Sequence, residues 1–276
     1  MKFEIITIFP DFFHGPLDYG IVRRAREAGL IEIGLHDLRA FTHDRHRTVD
    51  DRPFGGGEGM VLKPEPIFEC LESLDVSSRD ERLQDGAAET VILLSPQGEL
   101  FTQTVAQQLM SRERVVLICG RYEGVDERVS GFLADREISV GDFVLSGGEL
   151  GAALIVDTMT RLVPGALGNA ASSQQESFTT GNSAAQARGE GEPPLSTCAS
   201  GGLLDYPHYT RPADFAGMKV PEVLVNGNHE EIRRWRRRKA LEKTLCNRRD
   251  LLKAADLSKE DRKLLAEIEA ERALHD

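Results

Sequence analysis

Short apolar runs alternating with longer mixed segments organise the first 168 residues of the chain. Runs rich in β-branched residues recur at residues 3–9, 31–35, 90–94, 114–119 and 137–140, each bounded by glycine, proline or charge. Runs of that length and composition predict short, buried strands. Between them, residues 18–28, 65–74, 102–110 and 148–162 read as helices. Strand and helix in alternation predict an α/β domain around a largely parallel sheet.

After Gly168 the pattern breaks. Residues 172–202, "SSQQESFTTGNSAAQARGEGEPPLSTCASGG", are rich in Ser, Gln, Gly and Ala with Pro193 and Pro194 among them, which is linker composition. Beyond Pro212 the chain turns helical. Asn228 to Glu231 predicts a capping box opening a helix through about Leu245, and Ser258 predicts the cap of a last helix carrying Leu264, Leu265 and Ile268. The expected organisation is an α/β domain at 1–168, a linker at 169–202 and a small helical domain at 203–276, with no internal repeat.

Composition narrows the class. A chain of 276 residues that is 40% hydrophobic can bury a real core, as one large domain or two ordinary ones. Met1 to Phe13 lacks a continuous apolar stretch, and no run elsewhere is long enough to cross a bilayer, so a soluble, cytoplasmic protein without membrane contact is expected. Cys70, Cys119, Cys198 and Cys246 are widely spaced and read as reduced thiols. His43 and His46 lie near Asp44, Asp50 and Asp51, but without a recognised metal-ligand spacing.

A net charge of −11 excludes a protein that is basic all over. The basic residues are concentrated instead in "RRWRRRKALEKTLCNRR", where Arg233, Arg234, Arg236, Arg237, Arg238 and Lys239 are opposed within the segment only by Glu242. One such segment in an acidic chain points to a localised anionic partner, with Trp235 available to pack or stack. A solvated helix face is the plainer alternative.

Three glycine-bearing stretches follow predicted strands: "LSPQGE" at 94–99, "CGRYEGVDER" at 119–128 and "VGDFVLSGGEL" at 140–150. In open α/β sheets ligands collect beyond the carboxyl ends of strands, so the three are expected to line one pocket. Neither GxGxxG after a strand nor GxxxxGK[ST] is present, so a nucleotide-like cofactor would bind by another architecture. "DDRPFGGGEGM" at 50–60 and "LLDYPHYTRP" at 203–212 add a fourth glycine cluster and a rigid aromatic segment; neither decides anything alone.

Taken together with "NHEEIRRWR" at 228–236, these stretches, in this order and spacing, resemble the bacterial tRNA (guanine-37 N1)-methyltransferase family from Met1 to about Ala273. The resemblance implies a SPOUT-type α/β fold with a deep trefoil knot, a homodimer with its active site at the subunit interface, and methylation of N1 of guanosine-37, 3′ to the anticodon of tRNA. It implies S-adenosylmethionine as methyl donor and Mg²⁺ as a further cofactor without assigned ligands. Carried over by position, the donor pocket comprises Leu94, Pro96, Gly120, Ser139, Val140, Gly141, Asp142, Phe143, Val144, Leu145, Gly147 and Gly148. Tyr122 and Glu123 match the "RYEG" element, Glu123 as a catalytic-site residue, and Arg161 in "TRLVPG" matches a catalytic arginine. The basic residues Arg233 to Lys239 become contacts to tRNA.

Guanine N1 carries a proton that a base must remove before methylation. The family places an aspartate before a Ser-Phe pair; here Glu176 precedes Ser177 and Phe178, one methylene longer with a similar intrinsic pKa. Asp205 is the fallback. Residues 182–200 look like an insertion that cannot build a core, expected to be disordered and dispensable. Two rival readings stay open: a relative that binds without turnover, and a SPOUT enzyme acting on another base or on ribose.

Overall fold

The computed structural model describes residues 1–168, 176–179 and 201–274. They fall into two compact units, Met1–Gly168 and Asn169–Asp276. The stretch 182–200, expected from sequence to be an insertion, lies outside the described residues.

In the first unit the elements are β1 (Lys2–Thr7), α1 (Gly20–Glu27), β2 (Glu32–Asp37), β3 (Asp50–Asp51), β4 (Val61–Leu62), α2 (Pro64–Ser73), α3 (Arg79–Arg82), β5 (Glu89–Leu100), α4 (Gln103–Leu109), β6 (Arg114–Cys119), β7 (Arg136–Ser139) and α5 (Glu149–Thr160). A five-stranded sheet runs β2-β1-β6-β5-β7 with every pairing parallel. Helices cover both faces, which is why the central strands read as continuous apolar runs rather than alternating ones. Phe3, Ile5, Ile92 and Leu117 pack on one face against α1, α4 and α5, while Ile6, Leu93, Val116 and Ile118 pack on the other against α2. Each such side chain contributes about 1.5–3 kcal/mol by leaving water.

β5 is longer than its apolar run predicts. Leu94 pairs with Ile138 of β7, the chain bows out over Ser95 to Gly98, and Glu99 returns to the same Ile138 before Leu100 meets Ser139. Gly98 permits this return, because a side chain there would collide with the Glu137 and Ile138 backbone. The bow carries "SPQG" to the carboxyl edge of the sheet.

The second unit contains the β8 (Asp214–Phe215) and β9 (Met218–Lys219) hairpin and the helices α6 (His229–Asn247), α7 (Arg249–Ala254) and α8 (Lys259–Ala273). Leu241 and Leu245 of α6 pack with Leu264 and Ile268 of α8 around Leu203. Ser258 and Asp261 form a reciprocal capping box on α8. Asn228 caps α6 by accepting from the Glu230 and Glu231 amides, without the return bond from Glu231 that a capping box requires. Among the described residues, Phe178 N–H donates to Leu203 O and Gly202 N–H to Thr179 O, so 176–179 pairs with 202–203. No helix among the described residues is long and apolar enough to cross a membrane.

Candidate active site

The carboxyl ends of β5, β6 and β7 open into one cleft of about 280 Å³, near the lower bound of roughly 300 Å³ usual for small-molecule sites. Its walls are the bow after Leu94, the Gly120–Val125 turn and the segment from Ser139 to Gly151. The three glycine-bearing stretches therefore converge as their positions after strands predict.

Glycine is required where these segments touch. Gly148 N–H donates to Gly120 O at 2.9 Å, and a Cβ on Gly148 would lie 2.8 Å from the Cys119 Cα. A Cβ on Gly120 would press on the Leu94 carbonyl at 3.1 Å. Both glycines let backbone meet backbone at the wall of the cleft. Below them Cys119 is fully buried, and burial together with the nearby Glu149 carboxylate pushes its thiol well above the ordinary range despite Arg121.

The fourth glycine cluster joins the same site. β3 and β4 pair as a short hairpin whose far end is tied to the β6 turn: Glu123 N–H donates to Met60 O, Leu62 N–H to Gly124 O and Asp126 N–H to Leu62 O. Gly59 faces the Glu123 side chain so closely that no Cβ fits. Tyr122, in the left-handed region at φ 60° and half exposed, projects from this turn; holding a non-glycine residue there costs about 1–3 kcal/mol.

Among the described residues Glu123, Glu127 and Glu137 line the cleft against a single cation, Arg121. An acidic, partly apolar cleft suits a ligand carrying positive charge. Of the donor-pocket residues expected from sequence, all but Gly141 and Asp142 line it. Gly141 instead shapes the wall, its carbonyl accepting from the Ser139 hydroxyl at 3.0 Å and from the Phe143 amide at 2.8 Å. Arg121, Glu127, Ser130 and Glu137 also line the cleft and were not singled out in the sequence. Arg121 and Glu127 lie inside the quoted "CGRYEGVDER", so membership of a strand-end turn was the available signal.

Arg161 is the C-cap of α5, whereas Gly148 and Gly151 line the cleft at the other end of that helix. Twelve helical residues span about 18 Å, and Arg161 is not among the residues that line the cleft. Glu176 lies in the second unit, next to Ser177, whose hydroxyl accepts from the Asp205 amide at 2.9 Å. The Asp205 carboxylate is engaged with His208 Nε2 at 2.9 Å and the Tyr206 amide at 2.8 Å.

The basic helix is less unopposed than its sequence reads, because α8 brings carboxylates to it. Arg237 makes a bidentate pair with Asp261 at 2.6 and 2.9 Å, Arg233 reaches Glu230 and Glu260, and Arg238 reaches Glu267 and Glu271. Arg234 lies 3.9 Å from Glu267, and Lys239 pairs with Glu242 at 2.7 Å. Arg236 differs: its guanidinium stacks 4.9 Å above the Tyr206 ring, and Trp235 lies beside Tyr209. Near the N-terminal unit's surface, His43 contacts Glu69, while Asp44 accepts the His46 and Thr48 amides and closes its own turn.

The family model for tRNA (guanine-1)-methyltransferase TrmD matches residues 1–254. A tRNA (guanine-N(1)-)-methyltransferase of Koribacter versatilis (strain Ellin345) is 68% identical over 270 residues, 98% of this chain and 99% of its own length. Proteins of the same description from Dictyoglomus turgidum and Geobacter metallireducens are 49% and 48% identical, each over 98% of both chains.

Proposed function

The chain belongs to the tRNA (guanine-1)-methyltransferase family, and from that premise we propose that it methylates N1 of guanosine-37 in tRNA with S-adenosylmethionine as donor. The observation that carries the reading is the convergence of three strand-end segments on one acidic cleft walled by backbone at Gly120 and Gly148. That cleft fits the donor: glycines leave room for close backbone approach, and Glu127 and Glu137 oppose a sulfonium charge. Leu94, Pro96, Gly120, Val140, Leu145 and Gly148 would hold it. Bound there, the donor supplies an electrophilic methyl group.

In this reading the chain's own residues handle the nucleobase. Glu176 accepts the N1 proton, and Arg161 stabilises the negative charge that develops on O6. Deprotonated N1 is then the nucleophile toward the methyl group that the bound donor would supply, the sulfur–methyl bond breaking to leave a neutral thioether, with no covalent enzyme intermediate. Glu123 borders the same cleft and serves the substrate side of it. Among the described residues no three His, Cys, Asp or Glu side chains gather into a metal-holding set, so no step is assigned to Mg²⁺.

A homodimer belongs to the same proposal, with the active site assembled from two protomers. The distance of Arg161 from its own cleft supports it. So do Phe143, Val144, Leu150 and Leu154, apolar side chains left exposed on the cleft segment and on one face of α5. The knotted threading, the division into catalytic domain, linker and tRNA-binding domain, and a cytoplasmic location complete the reading.

Single-turnover methyl transfer to tRNA transcripts with guanine or adenine at position 37 tests it. The natural chain is expected to methylate guanine N1 alone, and Glu176→Gln to fall by roughly 10²–10⁴-fold, the usual worth of a general base. Equal rates in both chains would move the base to Asp205 or solvent. A natural chain that binds tRNA and donor without transfer would make it a binding protein.

A further inference from the structure

Beneath the cleft lies a polar cluster to which the mechanism above gives no work. Glu149, the first residue of α5, is buried to 2% exposure. Its Oε1 accepts from the Thr7 hydroxyl at 2.8 Å, at the end of β1, and Thr7 Oγ1 in turn accepts from the Phe9 amide at 3.0 Å. Arg121 Nε lies 3.5 Å from Oε1 and 3.3 Å from Oε2. Oε2 has no hydrogen-bond donor among the described residues, so the Arg121 charge is what compensates it. The Arg121 guanidinium rests 4.6 Å over the Phe9 ring. It also lines the cleft.

The cluster sits directly against the glycine segment. Arg121 and Gly147 form an antiparallel bridge, and a Cβ on Gly147 would strike both Arg121 Nε and Glu149 Oε2. A buried, imperfectly hydrogen-bonded carboxylate is a net cost unless something else depends on it. The N-terminus of α5 offsets part of that cost by favouring negative charge. What remains is placement: one carboxylate joins the end of β1, the turn after β6 and the start of α5.

We propose that Glu149 is a positioning residue for methyl transfer, fixing Arg121 against the Gly147–Gly148 backbone and cancelling the positive charge that Arg121 would otherwise present to a sulfonium ligand. The proposal rests on the donor reading of the cleft. It explains how a site for a cation tolerates an arginine in its wall. It also separates two ligands of nearly the same shape: S-adenosylmethionine carries the sulfonium charge, and its demethylated product S-adenosylhomocysteine is a neutral thioether.

Titration calorimetry of both ligands against the natural chain, Glu149→Gln, Arg121→Gln and the double variant tests this, with circular dichroism to confirm folding. One uncompensated unit charge within about 10 Å, at an effective dielectric of about 20–40, is worth roughly five- to fifteenfold in affinity. Glu149→Gln is expected to lower the ratio of S-adenosylmethionine to S-adenosylhomocysteine affinity by that factor. Arg121→Gln raises the ratio, and the double variant returns it towards the natural value. Should Glu149→Gln not fold, the opposite sign expected of Arg121→Gln, whose side chain keeps 23% exposure, decides alone. Equal loss for both ligands in Glu149→Gln, or a lowered ratio in Arg121→Gln, overturns the proposal and leaves the cluster a packing feature. A natural chain that binds neither ligand refutes the donor reading itself, and this proposal with it.

Discussion

Arg237→Ala is expected to destabilise the C-terminal unit far more than any other arginine substitution on α6. Arg237 gives two N–H groups to Asp261, whose residue is only 5% exposed and which also accepts the Ser258 amide at the start of α8. Deleting the guanidinium leaves a buried carboxylate without its cation, which typically costs about 3–5 kcal/mol. The Arg237 side chain keeps 21% exposure, so water enters the gap and about 2–3 kcal/mol is the better figure. For a unit of 60–100 residues each kcal/mol moves the midpoint by about 4–8 °C, giving a fall of roughly 10–20 °C. Trp235, the single tryptophan, lies on α6 and reports this unit by fluorescence in the full chain. Arg236→Ala, which removes a stacking contact, should move the same midpoint by only a few degrees. Acid supplies a second readout. Burial raises the Asp261 carboxyl, but the Arg237 hydrogen bonds and charge and the Ser258 contacts outweigh it and hold the group below its ordinary 3.8. The pair's stabilisation is therefore present above about pH 4 and is lost as pH falls through the depressed native value. Arg237→Ala should show less of that acid loss. A midpoint shift below about 3 °C, with acid sensitivity intact, would refute the assignment of Arg237 to structure.

Three further outcomes follow from the geometry. Gly148→Ala places a methyl 2.8 Å from the Cys119 Cα, so calorimetry should show at least about a tenfold loss of S-adenosylmethionine affinity, or 1.4 kcal/mol; unchanged affinity would mean that the glycine contact is incidental. Burial, with Glu4 nearby, pushes the Cys70 thiol up to about 12, and burial beside Glu149 also raises Cys119 well above its ordinary range, whereas Cys246 is exposed. Iodoacetamide at pH 8 on the native chain should therefore label Cys246 and spare Cys70 and Cys119 by peptide mass mapping, because only thiolate reacts. Affinity for tRNA should fall with salt, and Arg236→Ala should flatten the log–log slope by about one phosphate contact; a slope of zero in the natural chain would exclude phosphate contact by the basic helix.

Much of the first unit was legible because its strands are buried on both faces. A run such as Val115 to Ile118 has no polar alternation to confuse it, and β6 begins and ends where the sequence predicts. The bow of β5 was not legible, since Pro96 and Gly98 announce a loop and only pairing with β7 recovers Glu99 and Leu100 as strand. The ladders β3–β4 and β8–β9 hold two residues on each strand, too few for any period. In the site, glycines after strands identified the three walls, because close backbone approach leaves a compositional trace. Glu149 left none: a glutamate at a helix start is usually solvated, and only the fold places Thr7 and Arg121 around it.

The basic helix shows the same limit from the other side. Arg233 and Arg237, and Arg234 and Arg238, form two adjacent i,i+4 stripes, and Glu267 and Glu271 of α8 form another. Counting charge along α6 treats those arginines as available to phosphate, but across the α6–α8 contact they already face carboxylates. A phosphate that engages them must displace an existing partner, so each yields less affinity and less salt dependence than its formal charge implies. Trp235 and Arg236 lie off those stripes, where Tyr206 and Tyr209 of "YPHYTRP" pack. Stacked on an aromatic ring, the Arg236 guanidinium keeps its donors for another acceptor. The stretch of the C-terminal unit best prepared for RNA is thus this aromatic strap with Arg236, rather than the most densely charged face of the helix.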